Sequence, residues 1–223
     1  MTVLQNARVL VVGASGGLGT SIADECLKRG ARVVGTSHAH VITNSNITSV
    51  VADITSAQGR RAITAKLNEF GGVDVVLLAA GVVGFGIHDT VSPEHIAQLI
   101  NVDLVAQLQL ITDISPLIAE GGNVTCITGA VVDVATLGMS AYTAAKAGLS
   151  AAAAVIRREL RARKISVLDA RPPHTETGLA TRAVFGSAPA LKPGIEPTVV
   201  ARHILDAVEN DVPELPPTAF TSA

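Results

Sequence analysis

The sequence predicts an α/β protein, a doubly wound parallel sheet with helices on both faces, built as one domain over residues 1–223. Three features of the chain point to it. Short runs rich in β-branched residues alternate with longer stretches of helical periodicity, the pattern that gives parallel strands joined by crossover helices. The first run ends in a cluster of glycines from which a helical pattern starts at once. Apolar residues make up 48% of the chain but aromatics only 2%, so the core must be built from Val, Ile, Leu and Ala, which suits strands covered on both faces by Ala-faced helices.

The elements follow in order. Residues 9–12 form the first strand, and Leu18, Ile22, Ala23, Cys26 and Leu27 recur at helical spacing until Gly30 closes the helix. Further strands are expected at 32–36, 48–52, 75–79, 124–127 and 166–170. Helices are expected at 56–70, 92–114, 140–163 and 197–209, with Ser56 and Ser92 as N-caps and Pro93 in a first turn. The Pro-rich stretches 171–173 and 212–217 read as a loop and the chain end.

Composition removes several function classes. The formal charge is −2 and the Lys and Arg residues are scattered, not gathered in a stripe able to neutralise successive phosphates, which argues against a nucleic-acid partner. Cys26 and Cys126 stand far apart inside apolar segments and read as buried free thiols of a reducing compartment, with no metal role. Residues 1–10 lack a charged region followed by an apolar stretch and cleavage site, and no apolar run reaches membrane-spanning length. The expectation is a soluble cytoplasmic protein without a membrane partner.

Gly13, Ser15, Gly16, Gly17, Leu18 and Gly19 lie in the turn between the first strand and first helix, where free helix N–H groups and the positive dipole end favour a pyrophosphate. Gly13, Gly17 and Gly19 are the candidates for a sharp turn and close backbone approach, tasks that a Cβ obstructs. The spacing is G-x-x-x-G-x-G, not G-x-G-x-x-G, and glycines in this place also serve as simple strand-to-helix punctuation.

Together with Tyr142-Thr143-Ala144-Ala145-Lys146, a Y-x-x-x-K downstream, this spacing resembles the short-chain dehydrogenase/reductase family, and the resemblance runs along nearly the whole chain. It implies a Rossmann-like sheet, a nicotinamide dinucleotide cofactor and an oxidoreductase. Asp53, with Ile54 beside it, follows the third strand as does the family acid that holds the adenine ring. Ala80-Gly81 matches the end of the family's N-N-A-G, with Leu78 and Ala79 in place of its asparagines. Pro172 to Thr177 resembles the P-G-x-x-x-T loop beside the nicotinamide, with Pro173 where Gly is usual, so Pro172 and Thr177 are implied cofactor contacts. On the residues alone, Asp53 equally suits an Asx cap and Thr177 a loop hydroxyl bonded to backbone.

A carboxylate about 20 residues beyond the glycine turn selects NAD through the ribose 2′-OH, and a basic residue there accommodates the 2′-phosphate of NADP. Here Ser37 stands where the NAD-selecting Asp would be and His38 where an NADP-selecting Arg often is. The absent carboxylate favours NADP over NAD. Solvated loop residues are the competing account of His38 and His40.

In the catalytic set implied by the resemblance, Tyr142 is the general acid or base, and Lys146, one helical turn on, acidifies it and holds the nicotinamide ribose. Y-x-x-x-K also arises by chance, although Tyr142 is the single tyrosine of the chain. The family's substrate-orienting Ser aligns with Gly129, so Thr128 is expected to supply the hydroxyl, with Ser140 as the other candidate. Simpler accounts are a strand-end hydroxyl for Thr128 and an N-cap for Ser140. The proton-relay Asn aligns with Asp103, whose carboxylate, if buried near Lys146, would alter the acidification of Tyr142; a helix-facing acid is the plainer account.

Loops 82–91, 131–139 and 174–195 are mainly small and apolar, which favours a small apolar carbonyl or alcohol as substrate, while Arg182 and His174 could meet a carboxylate. The Ala-rich stretch 144–154 offers a helix face for a homodimer or homotetramer, as the resemblance implies. The rival account, motivated by Gly129, Leu78 and Ala79, is a dinucleotide-binding sensor or scaffold that has lost turnover.

Overall fold

The computed structural model describes residues 2–220. Strands β1 (Arg8–Val12), β2 (Arg32–Ser37), β3 (Ile47–Val51), β4 (Val73–Leu78), β5 (Ile118–Ile127), β6 (Ser166–Ala170) and β7 (Glu214–Leu215) form one sheet in the order β3-β2-β1-β4-β5-β6-β7. Every pairing is parallel. The helices are α1 (Gly17–Lys28), α2 (Ala57–Glu69), α3 (Pro93–Ile100), α4 (Ala106–Ile114), α5 (Ser140–Glu159) and α6 (Pro197–Glu209).

Alternation along each strand sorts the core into two layers, because successive side chains point to opposite faces. Val9, Val11, Val75 and Leu77 pack with Ile22 and Cys26 of α1 and with Val200, Ile204 and Leu205 of α6. Leu10, Val12, Val76 and Leu78 pack with Ile63 of α2, Leu110 of α4, and Leu149 and Ala153 of α5. Strands buried on both faces explain the near-continuous apolar runs. The predicted doubly wound sheet is present.

The differences have local causes. Strand β5 begins at Ile118 and meets β4 through a register shift between Val73 and Val75, so Gly121 and Gly122 hid its first half. The helix expected at 92–114 is continuous but passes through one π-helical turn, Asn101–Val105. The helix expected at 140–163 ends as α-helix at Glu159 and tightens to 3₁₀ over Leu160–Arg163. Strand β7, which had read as chain end, adds Glu214 and Leu215 beside Asp169 and Ala170; two residues between prolines carry no periodicity. Ser56 and Ser92 cap as expected, accepting from the N–H of Gly59 at 2.9 Å and of His95 at 3.3 Å. Both cysteines are buried free thiols. Among the described residues no helix is long and apolar enough to cross a membrane.

The chain winds from β1 through β2 to β3 on one side and returns to β4 on the other side of β1. Two loops leaving the carboxyl edge diverge at this switch point, and the crevice between them is where open α/β sheets bind ligands.

Candidate active site

The glycine turn occupies the β1 side of that crevice. Gly13 sits at φ +83°, and a Cβ there would lie 2.7 Å from Ala80 Cα, so only glycine lets the loops after β1 and β4 close on one another. A Cβ on Gly17 would lie 2.6 Å from the Thr177 carbonyl, which places the loop after β6 directly over the turn. Helix α1 starts here with Gly16 at its N-cap, no side-chain cap and no acidic residue in its first turn. Its first N–H groups and dipole end therefore lack an internal anion, the condition under which a helix start takes a phosphate. Ser15 is exposed and Leu18 packs on the core. The turn fits the pyrophosphate of a dinucleotide.

At the far end of the crevice one expectation fails. The Ser37 side chain is buried and its hydroxyl donates to the His40 carbonyl, so it is committed to its own loop and not free to meet a ribose or phosphate. His38 is exposed, with Nε2 3.8 Å from Asp53 Oδ2. Asp53 Oδ1 accepts from Thr55 N at 2.9 Å and Oγ1 at 2.7 Å, an Asx turn at the strand end. Partial burial opposes the Asp53 charge, but the Thr55 hydrogen bonds and His38 hold its carboxyl below the ordinary value. Ile54 is buried in the core, and its carbonyl accepts from the Arg60 guanidinium at 3.0 Å.

Across the switch point, β4 delivers Ala80 and Gly81, and α5 delivers Tyr142 and Lys146. Lys146 is 5% exposed and Asp103 fully buried, and their Nζ and Oδ1 atoms are 3.2 Å apart. The ammonium also donates to the Ile127 carbonyl at 3.1 Å and lies 5.7 Å from the centre of the Tyr142 ring. Burial pushes Tyr142 above its ordinary value; Lys146 pulls it down and Asp103 pushes it back up. Burial opposes the Lys146 charge, yet Asp103 and Tyr142 keep its ammonium bound to higher pH than usual.

The hydroxyl expected to assist Tyr142 is not where it was expected. Thr128 is fully buried and donates to Asp169 Oδ1, with a longer approach to the Ala170 carbonyl, so it faces the strand and not the crevice. Ser140 lies 3.1 Å from His88 Nδ1 and does not cap α5, whose N-cap is Met139. Gly129 has φ +82° and ψ 162°, a conformation essentially reserved for glycine. Its neighbour Ala130 donates to the Pro172 carbonyl at 3.0 Å, tying the loops after β5 and β6 together. Thr177 Oγ1 accepts from Leu179 N at 3.3 Å, the backbone-bonded role.

The family model described as short chain dehydrogenase matches residues 7–184. The chain belongs to this family of oxidoreductases. An uncharacterised oxidoreductase of Methylorubrum extorquens is 30% identical over 200 residues, covering 84% of this chain and 81% of the relative. The 3-oxoacyl-[acyl-carrier-protein] reductase of Escherichia coli is 28% identical over 190 residues, covering 78% of this chain and 75% of that one. A short-chain dehydrogenase from Sphingobium yanoikuyae, solved with NADPH, superposes with a TM-score of 0.85 at 24% identity over 95% of this chain and 87% of the other.

Two features of this short chain dehydrogenase were missed from sequence. Asp169, 1% exposed, gathers Thr128, Ser150 Oγ at 2.6 Å and Arg171 Nε at 2.9 Å into one network beneath the loop after β5, and Arg171 reaches on to Asp133 at 3.1 Å. The signal was present: an Asp in the middle of an apolar strand needs partners. Gln107, one turn after Asp103, donates to the Ala80 carbonyl at 3.0 Å and pins the β4 loop. Its place within a helical apolar stripe gave no sign of that.

Proposed function

We propose that this chain is an NADP(H)-dependent oxidoreductase acting between the nicotinamide and a small, mainly apolar carbonyl or alcohol. The observation that carries it is the buried Lys146 one turn from Tyr142, at the carboxyl edge of the sheet and across the switch point from an uncapped helix start. Gly13, Ser15, Gly16, Gly17, Leu18 and Gly19 hold the pyrophosphate, Asp53 and Ile54 the adenine side, and Ala80, Gly81, Pro172 and Thr177 the nicotinamide half. Held by these residues, a reduced nicotinamide would supply the hydride for the carbonyl carbon. Tyr142 gives its phenolic proton to the carbonyl oxygen, and Lys146, with one of its three ammonium hydrogens uncommitted to Asp103 or Ile127, orients the ribose.

The NADP preference rests on Ser37 standing where an NAD-selecting carboxylate would be and on His38, exposed just after β2, and the Sphingobium enzyme named above carries NADPH. NAD is the other nicotinamide form the site would admit. The substrate class rests on an apolar rim: Ile87, Val134 and Leu137 are exposed in the loops around Tyr142, and Phe185 folds over Gly84 to stack on His95 at 4.6 Å. The name of the E. coli relative, a 3-oxoacyl reductase, agrees with a ketone. The subunit is read as one domain of a cytoplasmic homodimer or homotetramer, with the Ala-rich α5, where Val155 is 55% exposed, as the candidate contact face. The rival reading, a sensor without turnover, draws on Gly129 and on the Thr128 hydroxyl held by Asp169.

The test is cofactor oxidation with NADPH and with NADH against small ketones, diketones and quinones, with Tyr142→Phe in parallel. NADPH turnover that falls by about 10²-fold or more in the variant, with NADPH binding retained, supports the enzyme. Binding without turnover in the parent chain selects the sensor, and no binding of either dinucleotide refutes the site.

A further inference from the structure

The Asp103 side chain is fully buried against Lys146. It is delivered by the π-helical turn Asn101–Val105, where the extra residue per turn displaces the backbone and projects Asp103 into the space between β4 and α5. There its oxygens accept from Val82 N at 3.3 and 3.4 Å, and a Cβ on Gly81 would lie 2.6 Å from Oδ1, so the loop after β4 is closed tightly over the carboxylate. The groups facing Lys146 are Asp103 from the π turn, Tyr142 from its own helix and Cys126 from β5; those facing Tyr142 are Lys146 and Asp103.

We infer that Asp103 is a positioning residue that acts through Lys146 to commit Tyr142 to proton donation, so that the chain reduces carbonyls at neutral pH and oxidises the corresponding alcohols only under alkaline conditions. The inference rests on the oxidoreductase reading above and adds its direction. An ammonium alone beside a phenol favours the phenolate, the form that removes a proton from an alcohol. A carboxylate 3.2 Å from that ammonium opposes its pull on the phenol, and the shared burial of the pair excludes the water that would otherwise screen both. The phenol then keeps its proton and has it to give: the O–H bond of Tyr142 breaks as the alkoxide oxygen gains the proton, while carbon gains hydride from the reduced nicotinamide. Replacing Asp103 by asparagine adds one net positive charge to the Tyr142–Lys146 pair. The first proton lost from the pair therefore leaves at lower pH whichever of the two groups releases it.

The chain has one tyrosine and no tryptophan, so the near-ultraviolet phenolate band titrates Tyr142 directly in the cofactor-free protein. The expected result is ionisation above the ordinary 10.0 in the parent chain and a midpoint about one unit or more lower in Asp103→Asn, with far-ultraviolet circular dichroism confirming that both stay folded. The pH profile of alcohol oxidation should move down by the same interval in that variant. A parent midpoint below 10.0, or a variant midpoint unchanged or raised, overturns the inference, and the parent measurement decides even where the variant does not fold. The titration needs no turnover, so absent activity with the expected midpoints would refute the oxidoreductase reading alone.

Discussion

Restoring a serine at position 129 should not restore an ordinary catalytic hydroxyl; it should destabilise the protein. A Cβ there would meet nothing closer than the Pro172 carbonyl at 3.8 Å, so the cost is not steric crowding by neighbours. It is the backbone: φ +82° with ψ 162° is held by Ala130 donating to Pro172 and by Gly129 N donating to the Ala170 carbonyl at 3.3 Å. A non-glycine residue in that region costs about 1–3 kcal/mol. For a chain of this size each kcal/mol lowers the melting temperature by roughly 2–4 °C, so Gly129→Ser should melt about 2–12 °C below the parent. Gly129→Ala separates backbone strain from any effect of the hydroxyl and should lose a similar amount. Thermal unfolding of the three proteins, with ketone reduction measured alongside, is the assay. A serine variant as stable as the parent and faster by about 10²-fold, the worth of one such donor, would show that position 129 is merely a deleted side chain.

Three further outcomes follow from the packing of polar and charged groups elsewhere in the fold. Asp169→Ala leaves Arg171, Thr128 and Ser150 without their shared acceptor and should cost about 3 kcal/mol in urea unfolding; a loss under about 1 kcal/mol would mean the network is not a structural hub. Arg8 grips Asp74 at 2.6 and 2.9 Å and holds its carboxyl below the ordinary 3.8. Because the folded value is depressed, this stability is present above about pH 4 and lost as the pH falls through the folded value, so Asp74→Asn should lower stability at neutral pH and flatten its decline below about pH 4; parallel curves would contradict the assignment. Burial pushes the Cys26 and Cys126 thiols up to about 12, so an aromatic disulfide reagent at about pH 8 should label neither until the protein is unfolded, and rapid native labelling would show an open path to the core.

Much of the architecture was legible because it follows from short-range rules. The alternation of Val9, Val11 with Leu10, Val12 is enough to require helices on both faces, and both layers are present. Ser56 and Ser92 announced their helix starts because a cap bonds three residues ahead, within the local sequence. Tyr142 and Lys146 were found together because four residues span one helical turn. Elements without such a rule were missed: β7 lies between prolines, and the π turn at Asn101–Val105 has the same apolar spacing as the α-helix on either side of it.

By itself the sequence determined the doubly wound sheet, the glycine turn at the mouth of α1 and the pairing of Tyr142 with Lys146, since each depends on periodicity or on neighbours within a few residues. Only the tertiary structure decided which polar atoms are available. Asp169, arriving from the next strand, withdraws the Thr128 hydroxyl; the His40 carbonyl withdraws Ser37; and Asp103, turned inward by a π turn, takes hold of Lys146. A hydrogen-bond donor serves whichever acceptor the fold brings to it, and in a buried site that acceptor comes from another element of the chain, beyond the reach of local pattern.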